Sequence, residues 1–185
     1  ACLVRDEEVV GSNPAYPTNF YQINITIDFV MAKKSTSIII STSIEEVWKV
    51  LSEFDQISIW AENVDHSSFL SEQTEGVGST RRIQMGSNVV QETVTIWEEP
   101  KTLSYEIAGL PPVIRRITNT WELVNDGSDT RVQLTAQITP VRPPAEILAK
   151  VLSRFFTRIN EKMLTGLKTH IEQPSIKKEK NNAIP

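Results

Sequence analysis

The chain has 185 residues, 39% of them hydrophobic and 23% charged, with a formal net charge of −4. That is the length and composition of one domain with a core of its own, and mild acidity gives no reason to expect a nucleic acid or an anionic membrane as partner. The single cysteine, Cys2, excludes a disulfide framework or a cysteine metal site, and no apolar run approaches the roughly 18 residues of a membrane span.

The N-terminal residues Asp6, Glu7 and Glu8 stand beside a single Arg5 with no apolar run after them, which does not match a secretory signal. A cytoplasmic protein is expected. Residues 1–30 have no apolar period. Within them, in "GSNPAYPT", Gly-Ser-Asn-Pro is what the T-arm core of a transfer-RNA gene yields when translated in one frame, and an acceptor stem after such an arm would give "AYPT". We therefore expect residues 1–30 to be a non-native or disordered extension, with Met31 as the true start; a natural disordered extension is the alternative.

From Ser35 the pattern is that of a fold. "STSIIIST" is a β-branched run suited to a strand. It leads into "SIEEVWKVLSEF", where Ser43 and Glu46 have capping-box spacing and Val47, Val50, Leu51 and Phe54 recur at helical period. "DQISIWAENVD" predicts a second short helix ending near Asn63. "HSSFLSEQ", "TRRIQM", "NVVQETVTIWEE", "TLSYEIAG", "IRRITNTWELVN" and "TRVQLTAQITP" then predict successive strands. The breaks between the later ones carry turn chemistry, and such short connections favour an antiparallel meander.

From Ala145 to about Glu172, Leu148, Leu152, Phe155, Ile159, Met163, Leu167 and Ile171 form one apolar stripe along a helix opened by Pro143 and Pro144. Residues 173–185 predict a mobile polar tail. The economical way to bury the stripe is a curved antiparallel sheet of about six to seven strands wrapped around the long helix. The class is α+β.

This order resembles the START and polyketide-cyclase-like superfamily (SRPBCC), with the helix-grip fold. The resemblance spans about Ser35 to Glu172. It rests on "I-x-x-S-x-E-E-V-W-x-V-L-S-E-F", "S-I-W", "G-V-G-S-T-R", "Q-E-T-V-T-I-W-E-E-P-K-T-L-S-Y-E-I", "W-E-L" with its glycine turn, and "T-R-V-Q-L-T". It implies a ligand-binding domain over 31–172 with a cavity between sheet and helix for a hydrophobic or amphipathic small molecule. Members include lipid carriers, hormone or flavonoid binders, and aromatase and cyclase subunits. No universal catalytic set comes with the family, so the resemblance implies a pocket rather than a reaction.

Strand alternation sorts the sheet faces. It aims Val94 and Ile96, Leu103, Tyr105 and Ile107, and Arg81, Ile83 and Met85 at the helix. It does the same for Ile117, Asn119, Trp121 and Leu123, and for Val132, Leu134, Ala136 and Ile138. The inward polar residues are then few: Arg81, Glu92, Tyr105 and Asn119. Apolar walls with a few convergent polar groups characterise small-molecule sites.

Glu92, facing an apolar interior, should have a raised pKa unless it is paired, which would suit a general acid or base. A structural ion pair with Arg81 on the adjacent strand is the preferred alternative. Tyr105 and Asn119 could orient a ligand carbonyl or hydroxyl, or bond within the core. Trp60 on the second helix and Trp121 on the sheet are candidate cavity walls, as are Met85, Val94, Phe155 and Ile159. Trp97 is expected on the outer face. Leu110 and Pro111 belong to a stiff apolar turn at the expected mouth, followed by Arg115 and Arg116. His66 and His170 fit no metal or triad spacing, and no nucleotide motif occurs, so no metal and no cofactor are expected.

Three functions remain open. The first is binding of a small hydrophobic or amphipathic molecule for carriage, sensing or sequestration. The second is a cyclase, aromatase or dehydratase using Glu92 as acid or base. The third is an interaction protein whose cavity is filled by Trp121, Phe155, Phe156 and Met163.

Overall fold

A computed structural model of the chain describes residues 32–110, 112, 114–140 and 145–173, with the backbone alone over 145–156. The expectations for residues 1–30, Met31, Pro143, Pro144 and the tail after Gln173 lie outside the described residues.

The first strand, β1 (Ala32–Ile40), begins three residues before the β-branched run. After it comes α1 (Ile44–Ser52), whose Ser43 hydroxyl accepts the Glu46 backbone N–H at 3.4 Å, the N-cap half of the expected capping box. The helix buries Ile44, Val47, Trp48 and Leu51 and presents Glu45 and Glu46 to its own positive end. The second helix is shorter than its pattern predicts. Phe54–Gln56 form a 3-10 turn and α2 is the single turn Ile57–Trp60, ended by Ala61 in extended conformation rather than near Asn63.

Six strands follow: β2 (His66–Phe69), β3 (Thr80–Met85), β4 (Asn88–Glu98), β5 (Thr102–Ala108), β6 (Ile114–Asp126) and β7 (Asp129–Pro140). The sheet order is β1-β7-β6-β5-β4-β3-β2, and every neighbouring pair is antiparallel. The last six strands are thus a meander, and β1 docks on its final strand. The curved seven-stranded sheet, the two short helices after β1 and the C-terminal helix α3 (Ala145–Glu172) make the α+β helix-grip arrangement.

Side-chain alternation holds along most of the sheet, with register slips on β4 at Val94/Ile96 and on β6 at Ile114/Arg116. Between Val94 and Ile96 the β4–β5 register slips, leaving Thr95 without a partner. A bulge residue inverts the parity of everything after it. Ile96, expected inward, is therefore 40% exposed. Trp97, expected outward, packs on the core with its ring 5.4 Å from that of Trp48, edge to face.

The main core joins Val47, Leu51, Phe54 and Trp60 to Val94, Leu103, Tyr105, Trp121 and Leu134 of the sheet and to Met163, Leu164 and Leu167 of α3. Each fully buried leucine of that set contributes about 2 kcal/mol. A second, separate apolar cluster, Ile114, Ile117 and Ile138 with Ile107 and Leu110 against it, lies toward the β5–β6 turn.

α3 runs along β1 and is anchored at its C-terminal end. Lys168 Nζ donates to the Ile39 carbonyl at 2.6 Å, and Glu172 Oε1 accepts the Ser41 N–H at 2.9 Å. Between these anchors and α2 the helix passes very close to the main chain. A Cβ at Gly166 would overlap the Trp60 carbonyl oxygen. Gly166→Ala should therefore push α3 off α2 and lower unfolding free energy by about 1–3 kcal/mol in denaturant titration.

Candidate functional site

Arg81 and Glu92 stand opposite each other in the β3–β4 register, both pointing inward. Arg81 Nε and Nη2 donate to Glu92 Oε2 at 2.8 and 2.6 Å, and Nη1 donates to the Phe54 carbonyl. The guanidinium also lies over the Phe54 ring, 3.6 Å from its centroid, with the Tyr105 ring at 5.2 Å. Arg81 is only 2% exposed and Glu92 5%. Burial pushes the Glu92 carboxyl above its usual range, while the charge and hydrogen bonds of Arg81 oppose it.

One row along, Tyr105 is opposite Asn119 on β6 and Val94 on β4. Its hydroxyl accepts hydrogen bonds from Asn119 Nδ2 and Trp121 Nε1, both at 3.4 Å. Burial, helped by the nearby negative charge of Glu92, raises the phenol from 10.0 to about 12. Trp60 completes the wall, edge to face with Trp121 at 6.0 Å between ring centroids.

These residues enclose little space. The void bounded by Leu51, Phe54, Ile57, Trp60, Arg81, Leu103, Tyr105 and Trp121 measures about 10 Å³, room for one water at most. A larger groove, about 420 Å³, is open on the outside between α1 and the β4–β5 turn, lined by Glu45, Trp48, Lys49, Ser52, Glu99 and Pro100. It is separate from the sheet–helix interior.

The residues singled out by alternation therefore divide. Trp60, Arg81, Glu92, Tyr105, Asn119 and Trp121 come together in one buried group, with Val94 behind Tyr105. Met85 is half-buried near the rim, where its sulfur accepts from Asn63 Nδ2 at 3.8 Å. Ile159 packs half-buried against the main core, and Leu110 packs against the second cluster. Pro111 and the side chain of Phe155 lie outside the described residues. Arg115 and Arg116 are exposed, and Arg116 pairs with Glu106 at 3.3 Å.

Sequence reasoning missed one participant and one further buried polar residue. Phe54 joins through its carbonyl, which no side-chain pattern reveals. Asn160 of α3 is fully buried, and neither its Oδ1 nor its Nδ2 has a hydrogen-bond partner among the described residues. The signal was available in its helical spacing from Met163, Leu164 and Leu167, since all four share one face. Asn119 Oδ1 and Trp60 Nε1 are likewise buried without a partner.

Arg81→Met leaves a buried carboxylate without its counter-charge and should cost about 3–5 kcal/mol in equilibrium unfolding, most of it recovered in Arg81→Met/Glu92→Leu. The stabilisation from keeping Tyr105 neutral is complete below the ordinary phenol pKa of 10.0 and is lost as pH rises through about 12. In an alkaline titration of tyrosinate absorbance, one of the three tyrosines should ionise only near that upper value. Tyr105→Phe should abolish that late step.

Residues 31–172 match the family model described as "Polyketide cyclase / dehydrase and lipid transport". No curated protein matches the chain. Among solved structures, the protein XoxI from Bacillus cereus is 18% identical, with a TM-score of 0.64 over 77% of this chain and 97% of that one. The Zhui aromatase/cyclase from Streptomyces sp. R1128 is 15% identical, with a TM-score of 0.64 over 80% and 98%. A START superfamily protein from Mycobacterium smegmatis is 13% identical, with a TM-score of 0.64 over 77% and 99%. At these identities the structures share the fold. With the family model spanning the whole of the sheet and its helices, the chain belongs to the polyketide cyclase/dehydrase and lipid-transport family.

Proposed function

We propose that the protein binds a small hydrophobic or amphipathic molecule between the sheet and α3, as a carrier, sensor or sequestering protein. The supporting observation is the division of the interior. The part beneath α1 and α2 is packed, with space for one water. A second apolar cluster of Ile107, Leu110, Ile114, Ile117 and Ile138 continues the inner surface toward the β5–β6 turn, and the polar row of Tyr105 and Asn119 lies between the two. Apolar burial at about 25 cal/mol per Å² would supply the affinity and the polar row the orientation.

The molecule would meet the protein in solution or at a membrane surface. Among the described residues no helix is long and apolar enough to cross a membrane. The family description, which joins cyclases and dehydrases to lipid transport, supports this substrate class without choosing between binding and turnover.

The smallness of the void favours a second reading, an interaction protein whose cavity is filled by its own side chains. An enzyme using Glu92 has less support. A carboxylate that receives two hydrogen bonds from one buried arginine needs that pair to open before it can exchange a proton with a substrate.

Native mass spectrometry of the full chain from its source cells separates these readings. Binding predicts a stoichiometric apolar adduct, released on denaturation and retained by Glu92→Gln. A clean unliganded mass for the wild type would favour the filled interior. Turnover of a released polyketide-like compound, lost in Glu92→Gln, would establish the enzyme.

A further inference from the structure

The void of about 10 Å³ beneath α1 and α2 is walled by residues that are each at most 4% exposed. Two of those residues hold a proton that has no acceptor among the described residues. Trp60 Nε1 is buried without a partner. The Tyr105 hydroxyl accepts from Asn119 Nδ2 and Trp121 Nε1, both at 3.4 Å, and neither bond uses the proton of the phenol itself. Native cores almost always satisfy such donors, so two around one small space call for an explanation.

The chemistry of the wall narrows what could satisfy them. Arg81 also lines the void, but its guanidinium is committed to Glu92 and to the Phe54 carbonyl. An anion there would meet the Glu92 charge with no free cation to balance it. A methyl group would leave both protons unbonded. A neutral oxygen acceptor the size of one atom remains, and the void has room for one water.

We infer that this void is the binding site of a single structural water, which accepts from Trp60 Nε1 and the Tyr105 hydroxyl and donates to the Phe54 carbonyl. That carbonyl belongs to a third residue of the wall and has a second lone pair beyond the one Arg81 uses. Three bonds are the usual complement of a buried water. The water ties Trp60 of α2 to Tyr105 of β5, where the rings of Trp60 and Trp121 otherwise meet only edge to face. It completes the packed end of the interior, whichever of the readings above describes the other end.

Two arrangements would spend the same protons without a water. The Trp60 N–H could point at the Trp121 ring face, or the Asn119 amide could be turned end for end so that its oxygen takes the phenol proton. The test is a high-resolution crystal structure of the full chain, joined to water–indole Overhauser contacts in solution. One isolated density peak should lie about 2.7–3.2 Å from Trp60 Nε1, Tyr105 Oη and the Phe54 oxygen. The Trp60 indole resonance should show a contact to a long-lived water. In Tyr105→Phe that water should exchange with bulk about five- to tenfold faster, the scale of one hydrogen bond.

No peak in the void, or a peak bonded to neither Trp60 nor Tyr105, would overturn the inference. A ring-shifted Trp60 N–H without a water contact would assign that proton to Trp121 and overturn it too. Unchanged exchange in Tyr105→Phe would give the phenol proton to Asn119, against the bridge. Density longer than one atom would mark the end of a larger ligand and overturn the assignment to water. If Tyr105→Phe does not fold, the crystallographic distances decide alone.

Discussion

The guanidinium of Arg81 is the point on which the interior is organised. A cation with almost no solvent contact persists only where its hydrogen bonds and charge are both met. Arg81 finds a carboxylate on the neighbouring strand, a main-chain carbonyl in the turn after α1, and an aromatic face above it. The first contact is within the sheet. The other two tie the α1–α2 connection down onto it, so Phe54 is held by its carbonyl and its ring together. The placement of that turn carries Trp60 into the wall beside Trp121 and sets the carbonyl that α3 must approach at Gly166. Helices and sheet are thus located relative to one another by one buried charge before the apolar packing is counted.

The same cluster limits the chemistry of the interior. Its two formal charges are spent on each other, and the atoms of the group left without a partner, Asn119 Oδ1 and Trp60 Nε1, are neutral. Neutral donors and acceptors in a low-dielectric space discriminate by hydrogen-bond pattern, because a mismatched partner leaves a buried group unpaired. On the binding reading, selectivity in this protein would come from such matching rather than from attraction between charges. One fold can host many unrelated functions, which is why the architecture alone leaves the ligand open.

Much of this was legible in the chain. Element order and type followed from apolar period and turn residues, and the Arg81–Glu92 pair followed from alternation across the short β3–β4 connection. What escaped has specific physical causes. The bulge at Thr95 lies in a run where Val94, Ile96 and Trp97 are all apolar, so both parities look equally buried and alternation cannot reveal the slip. The second helix falls short of its pattern, beginning with a 3-10 turn at Phe54–Gln56 and ending at Trp60, and the bond from Arg81 to the Phe54 carbonyl at its start is a tertiary contact that helical period cannot report. Asn160 was hidden by its own polarity, since an asparagine in a 28-residue helix is ordinarily read as part of the wet face. The contact at Gly166 involves no side chain at all, and nothing in a pattern of hydrophobicity can report it.

That last contact has a mechanical meaning. Where two elements meet through side chains, rotamer changes can part them briefly and let a molecule through. At Gly166 the surface of α3 meets the main chain of α2, so that seam has no hinged part and opens only if a whole helix is displaced, against the anchors at Ile39 and Ser41. The rim of the fold is therefore unequal around its circumference. One arc behaves as a weld, and traffic between the interior and the surroundings falls to the arc closed by side chains alone.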